Sequence, residues 1–244
     1  MPNLRTSAII CSVRSHGEHG AVVRSLTPEN GLMSGYVRGA HSRTMRPVLI
    51  PSNIVQADYR ARTEDQLASM TAELQQSRGP FLGEPLASAA LDWVTALTAA
   101  TLPEEHSYPQ IHSALSALLD AICSAPSAKG WAAALVRYEL LLLSELGFGL
   151  ALDRCAVTGS EDDLVYISPK SATAVSAFAG REYKERLLPL PPFLKQPLSP
   201  DWDDIFDGLR VTGFFLKRHF FEDRRRDVMA ARTVLVDRLK RMVA

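Results

Sequence analysis

The chain has 244 residues, of which 46% are hydrophobic and 22% charged, with 27 basic side chains balanced by 27 acidic ones. That composition supplies a sizeable core and excludes intrinsic disorder as the default state; the length suits one large domain or two small ones. The opening MPNLRTSAIICSVRS is too broken in its apolar run for a secretory leader, and the later stretch Arg137 to Leu152 is too short, and interrupted by Glu139 and Glu145, to span a bilayer.

Three widely spaced cysteines, Cys11, Cys123 and Cys155, argue against a disulfide framework and fit a reducing compartment, so a cytoplasmic protein without membrane association is expected. The zero net charge conceals an asymmetry: residues 1–80 carry +3, residues 81–209 carry −9 and residues 210–244 carry +6. Basic ends attract polyanions, which makes nucleic acid a candidate partner if the fold gathers those charges on one face.

In chain order, Ala8 to Arg14 and Gly20 to Leu26 read as strands around the glycine-bearing turn SHGEHG. GLMSGYVRGA gives a third strand, with Met33, Gly35 and Val37 on one face and Leu32, Ser34, Tyr36 and Arg38 on the other. After a loop holding Arg43 and Arg46, the stretch NIVQADYRARTEDQ alternates. Val55, Ala57, Tyr59 and Ala61 point inward, and Gln56, Asp58, Arg60 and Arg62 point outward. Leu67 to Leu74 supplies a fifth strand, and five short strands in this space predict a barrel of the OB type.

From Pro80 the period changes to helical. One helix ends at Pro103, and a second places Ile111, Leu115, Leu118, Leu119 and Ile122 on one stripe. A third, SAKGWAAALVRYELLLLSELG, is apolar nearly all round and closes at Gly147. LVYISPKSATAVS reads as a short hairpin, followed by a proline-punctuated connection and two more helices over about 203–221 and 226–242. On the last, Val228, Ala231, Leu235, Leu239 and Met242 form the apolar stripe, with Arg225, Arg232, Lys240 and Arg241 off it. The expected class is therefore α+β: an N-terminal five-stranded OB-fold domain over 1–79 and a mainly helical domain over 80–244, with a hairpin insertion at about 152–180.

Cys155 opens a C-x-x turn where a structural zinc site would place a second cysteine, but Thr158 stands there and no cysteine follows. Four ligands are needed and one is present, so no metal is expected. His16 and His19 in HGEH lack further ligands, LGFGL lacks the spacing of a phosphate loop, and none of the cysteines sits beside a base. No catalytic constellation emerges and no cofactor is implied. All nine basic residues of the first 80 are arginines, a choice that suits bidentate phosphate contacts and stacking on bases. Arg38, Arg43, Arg46, Arg60 and Arg62 suggest an electrostatic groove with Tyr36 as a stacking platform.

The stretches HGEHGAVVRSLTPENGLMSGYVRGAHSRTMRPVLIPSNIVQADYRARTEDQL, RYELLLLSELGFGLALDRCAVTGSEDDLVYISPKSATAVS, LLPLPPFL and TGFFLKRHFF resemble, in order, the RecO family of DNA repair proteins in its alphaproteobacterial form. The resemblance implies an OB domain, a helical domain and, in many members, a four-cysteine zinc site; here Cys155 matches the first ligand, Thr158 replaces the second, and SATAVS stands where the second pair belongs. The hairpin then reads as zinc-finger-like but lacking its metal ligands.

For function the resemblance implies recombination mediation. Members bind single- and double-stranded DNA, anneal complementary strands, and act with RecR, and in some bacteria RecF, to place RecA on DNA coated by single-stranded DNA-binding protein (SSB). They bind the acidic tail of SSB on the helical domain, where an apolar pocket with a cation is required; Arg137, at the start of the apolar helix, is the candidate. Lys217, Arg218, Arg224, Arg225 and Arg226, with the last helix, add a second basic surface. Two rivals stand beside this non-enzymatic reading: a protein adaptor without DNA affinity, and a cation-dependent nuclease using Asp58, Glu64 and Asp65.

Overall fold

The computed structural model describes residues 3–61, 63, 66–222 and 228–244. The chain divides into two compact units, one formed by Met1–Ser124 with Ala230–Leu239, the other by Ala125–Met229 with Lys240–Ala244.

In the first unit, β1 (Leu4–His16), β2 (Gly20–Thr27), β3 (Gly31–Arg38), β4 (Ile54–Arg60) and β5 (Ala68–Gln76) close into a barrel in the order β1-β2-β3-β5-β4. Every pairing is antiparallel except β3 with β5, which run parallel through Gly35↔Ala68 and Tyr36↔Ser69. That closure is the Greek-key topology of an OB-type barrel. Alternation explains the interior: Ala8, Ile10, Ala21, Val23, Met33, Val37, Val55, Ala57, Tyr59 and Met70 point into one core. The Tyr59 hydroxyl, which cannot be buried unpaired, shares a hydrogen bond with Ser25 inside it.

The loop between β3 and β4 is anchored rather than loose. Ala40 and Leu49 are buried in the barrel core, and Met45 and Val48 pack against it. The Asn53 amide donates to the carbonyls of Pro47 and Val48 at 2.9 and 3.1 Å and accepts from the Arg78 backbone at 2.8 Å. These contacts hold the loop's apolar residues inward and leave Arg43 and Arg46 exposed.

Helices α1 (Pro85–Thr101) and α2 (Pro109–Ser124) continue this unit, together with most of a C-terminal helix, Met229–Val243. Each of the first two begins with proline, whose missing N–H costs nothing at that position.

The second unit is built on α3 (Ala128–Glu145) and α5 (Trp202–Leu216), with the short α4 (Ala177–Gly180) between them in the chain; of the Met229–Val243 helix, numbered α6, it takes only the two ends. Gly147, at φ +85°, ends α3: its N–H bonds the Ser144 carbonyl at 3.0 Å and that of Phe148 bonds Leu143 at 2.8 Å. Asp201 and Asp204 cap α5 reciprocally. Between α3 and α5 the fully buried Glu139 accepts from the Thr212 hydroxyl. The expected hairpin is β6 (Leu164–Ile167) with β7 (Ala174–Ser176), and β8 (Leu188–Pro189), from the proline-punctuated connection, widens it to a three-stranded sheet. The fold is α+β, a closed barrel followed by a helical region, and no helix among the described residues is long and apolar enough to cross a membrane.

Candidate nucleic-acid interface

Because β1, β2 and β3 alternate in register, their outward side chains fall into rows. Arg14 pairs with Val22, Val22 with Tyr36, and Tyr36 with Ser69, which pairs in turn with Arg60. One row along, His16 pairs with Gly20 and Gly20 with Arg38. Residues in register across a sheet point to the same face, so Arg14, His16, Tyr36 and Arg38 share the outside of the barrel. Tyr36 lies down on this face: a β-carbon at Gly20 would land inside its phenol ring. The His16 ring meets it edge-on, with centroids 6.0 Å apart and planes at 82°.

Arg14, Arg38, Arg43 and Arg46 are exposed, and none of them pairs with a carboxylate among the described residues. Arg43 and Arg46 flank the same end, since the Ala40 N–H bonds the His19 carbonyl of the β1–β2 hairpin. The other barrel arginines are engaged. Arg60 grips Asp58 with two bonds, at 3.0 and 3.2 Å, and these hold the Asp58 carboxyl below its usual range and raise the guanidinium. Arg5 faces Glu73 at 3.9 Å, and Arg24 pairs with Glu104 at 3.1 Å and donates to the Ala99 carbonyl. Arg78 is buried, bonding Ser52 and Asp120 at 2.5 Å each. Arg62 lies outside the described residues, as do Glu64 and Asp65 of the nuclease alternative, whose remaining member, Asp58, is the one gripped by Arg60. Arg14 was not singled out from sequence, although Ser12, Arg14 and His16 carry the same period-two signal as Tyr36 and Arg38.

Of the second basic set, Lys217 and Arg218 are exposed on a π-type turn, Lys217–Phe221, that follows α5. Arg218 donates to the Pro169 carbonyl. Behind them His219 stacks on Phe148 at 4.3 Å, and burial followed by the Arg218 charge lowers its pKa. Arg224, Arg225 and Arg226 lie outside the described residues. On α6 the expected faces need correction: Arg232 is buried, its guanidinium 5.9 Å from the Trp93 ring, while Met242, assigned to the apolar stripe, is 48% exposed. A long side chain can lay its stem on apolar surface and end over an aromatic face, which a hydrophobic-stripe count does not register.

Arg137 sits midway along α3 rather than at its start, because the helix begins nine residues earlier at Ala128, and it lies beside a cavity of about 420 Å³. Phe193, Leu194, Pro197 and Leu198 give it apolar walls and Lys195 a second cation. The Arg137 guanidinium lies 5.5 Å from the Phe193 ring and donates to the Leu198 carbonyl at 3.5 Å.

The Cys155 turn is closed by the Gly159 N–H on the Cys155 carbonyl at 2.9 Å, with Gly159 at φ +72°. Its sulfur accepts from the Ser176 N–H at 3.3 Å and contacts the Ser176 hydroxyl at 3.6 Å. Burial pushes this thiol up, but hydrogen bonds from Thr158 and Ser176 outweigh it and bring the pKa down to about 6. One sulfur flanked by two hydroxyl residues does not fit a tetrahedral thiolate zinc site, and no group of three metal-ligating side chains forms among the described residues.

The barrel's topology and the helical region after it define a two-unit α+β protein built on an OB-type barrel. Two family models match in tandem: Recombination protein O N terminal over residues 1–78 and Recombination protein O C terminal over residues 82–227. The DNA repair protein RecO of Rhodospirillum centenum is 43% identical over 237 residues, covering 96% of this chain and 93% of its own. That of Caulobacter vibrioides strain NA1000 is 44% identical over 235 residues, covering 95% of both chains. That of Rhodospirillum rubrum is 40% identical over 241 residues, covering 97% and 96%. The chain belongs to the RecO family of DNA repair proteins.

Proposed function

We propose that this chain is a non-enzymatic, cytoplasmic recombination mediator that binds single- and double-stranded DNA and anneals complementary strands without a nucleotide cofactor. With RecR, and in some settings RecF, it helps place RecA on SSB-coated DNA. The observation that carries this reading is the set of exposed barrel arginines, Arg38, Arg43 and Arg46 with Arg14 beside them, none paired with a carboxylate among the described residues. Cations without internal partners exchange their counter-ions for phosphate at little cost, and annealing needs only that two strands be held and their charge neutralised. Arg62 extends this surface, with Arg60 contributing through the charge it shares with Asp58, Tyr36 stacks on bases, and Lys217, Arg218 and Arg224 to Arg226 form a second contact. The Cys155 turn is the retained scaffold of the family's zinc site, its sulfur held by hydroxyl and backbone hydrogen bonds in place of metal.

The SSB tail is assigned to the cavity at Arg137. A peptide ending in an apolar residue and its own carboxylate matches walls of Phe193 and Leu198 with Arg137 and Lys195 as cations. Anisotropy of a labelled single strand across a salt series, with annealing followed in the same buffers, tests the first assignment. Binding that weakens steeply with salt is expected, and no binding even at low salt would favour the protein-adaptor reading. A labelled tail peptide tests the second: Arg137→Ala is expected to abolish its binding while leaving DNA affinity intact.

A further inference from the structure

We propose that the outer face of β1–β2–β3 is a seat for one unstacked base of a single strand, with the Tyr36 ring as its floor and Arg14 and Arg38 holding the phosphates around it. Gly20 is the recess in which that floor lies. The inference rests on the reading that the barrel binds DNA, and adds which form of DNA this face selects and why.

Three independent features converge. The first is the bare position under the ring. Gly20 has no positive φ, so its backbone would accept any residue, and it serves here because a β-carbon would occupy the space of the Tyr36 phenol. The ring is thereby laid along the sheet instead of standing off it. The second is that the ring is only half-buried, and its hydroxyl makes no hydrogen bond among the described residues. A tyrosine kept for the core would bury both, as Tyr59 does two strands away with Ser25. The third is the setting. Arg14 lies two strands over from Tyr36, about 10 Å away, and Arg38 two residues along, about 7 Å away, both within an arginine's reach of phosphates next to a base on the ring. The His16 ring adds a T-shaped contact that helps fix the Tyr36 ring in place.

A base inside a duplex already spends both faces on its neighbours, so it cannot lie on Tyr36 without being extruded. The seat therefore takes single strands and releases its base as pairing proceeds, while the arginines hold both forms through phosphate. That division gives annealing a direction: the substrate makes a contact that the product cannot make.

The test compares affinity for labelled oligothymidine with affinity for a blunt duplex of the same length. Tyr36→Ala is expected to weaken single-strand binding about 5- to 150-fold and leave duplex binding and the salt slope unchanged. Tyr36→Phe is expected to bind as the parent does, and Gly20→Ala, which displaces the ring without straining the backbone, to fall in between. Tyr36→Trp adds a readout that a structural role would not move: its fluorescence should be quenched by oligothymidine and not by duplex. Equal losses for single strand and duplex in Tyr36→Ala, or no quenching of the tryptophan, would overturn the seat while the arginine surface still stood. A parent protein that binds no single strand would overturn the DNA reading and the seat together.

Discussion

The two sides of the barrel use the same residue to opposite ends. Across β4 and β5, Arg60 is clamped on Asp58, Arg5 faces Glu73, and Arg78 at the foot of β5 is buried against Ser52 and Asp120. Across β1–β3 and the loop after them, Arg24 is paired with Glu104, while Arg14, Arg38, Arg43 and Arg46 meet no carboxylate among the described residues. Arginine content therefore does not locate a polyanion surface. Pairing does, because the acids within side-chain reach decide which guanidinium is neutralised and which is left to the solvent.

Replacing Arg78 should give the largest effect. Arg78→Ala removes a buried cation with two strong bonds and is expected to cost about 3 kcal/mol of stability, read as a lower urea midpoint, with DNA affinity per folded molecule unchanged. If DNA affinity fell with it, the division of labour between the two sides would be wrong. The double change Arg43→Ala with Arg46→Ala should do the reverse. Stability should stay within about 0.5 kcal/mol, while the slope of log affinity for single strands against log salt flattens by roughly one to two units. An unchanged slope would remove those residues from the interface.

Asp58→Asn should convert one side towards the other. It frees Arg60 from its partner, so the salt slope should steepen by up to about 0.7. A further effect, one that changes with pH, belongs to a residue committed in the same way outside the barrel. The Cys155 thiol, with a folded pKa of about 6 against an ordinary 9.0, stabilises the fold fully above pH 9 and loses that contribution as pH falls towards 6. Cys155→Ala should therefore narrow its deficit in thermal midpoint between pH 9 and pH 6; a deficit constant with pH would place the thiol, un-ionised, among ordinary packing groups.

Much of this was legible in the sequence, and the failures share a cause. Period-two alternation marks Val55, Ala57 and Tyr59 as interior, and proline and glycine mark the limits of α1 and α3, because both signals are local. The parallel closure of β3 on β5 and the recruitment of Leu188–Pro189 into a sheet depend on partners far along the chain. The site divides in the same way. Arg38, Arg43 and Arg46 could be found by counting, but the pairing of Arg60 with Asp58 needed side-chain geometry that a shared face does not supply. Gly20 reads as a turn residue until β2 and β3 are set in register, and only then does it become the resting place of Tyr36.

The first compact unit is not contiguous in the chain: Ala230–Leu239 joins Met1–Ser124, with Leu235 and Leu239 buried and Arg232 over Trp93. During synthesis the barrel and its first two helices leave the ribosome long before this last piece exists, and most of the other unit, Ala125–Met229, is made in between. The earliest-made part of the protein is thus among the last to be finished. A transcript truncated ahead of Ala230 would yield a barrel whose helical support lacks its closing segment, so a late stop codon should be read out by proteases and chaperones as a defect of the N-terminal unit.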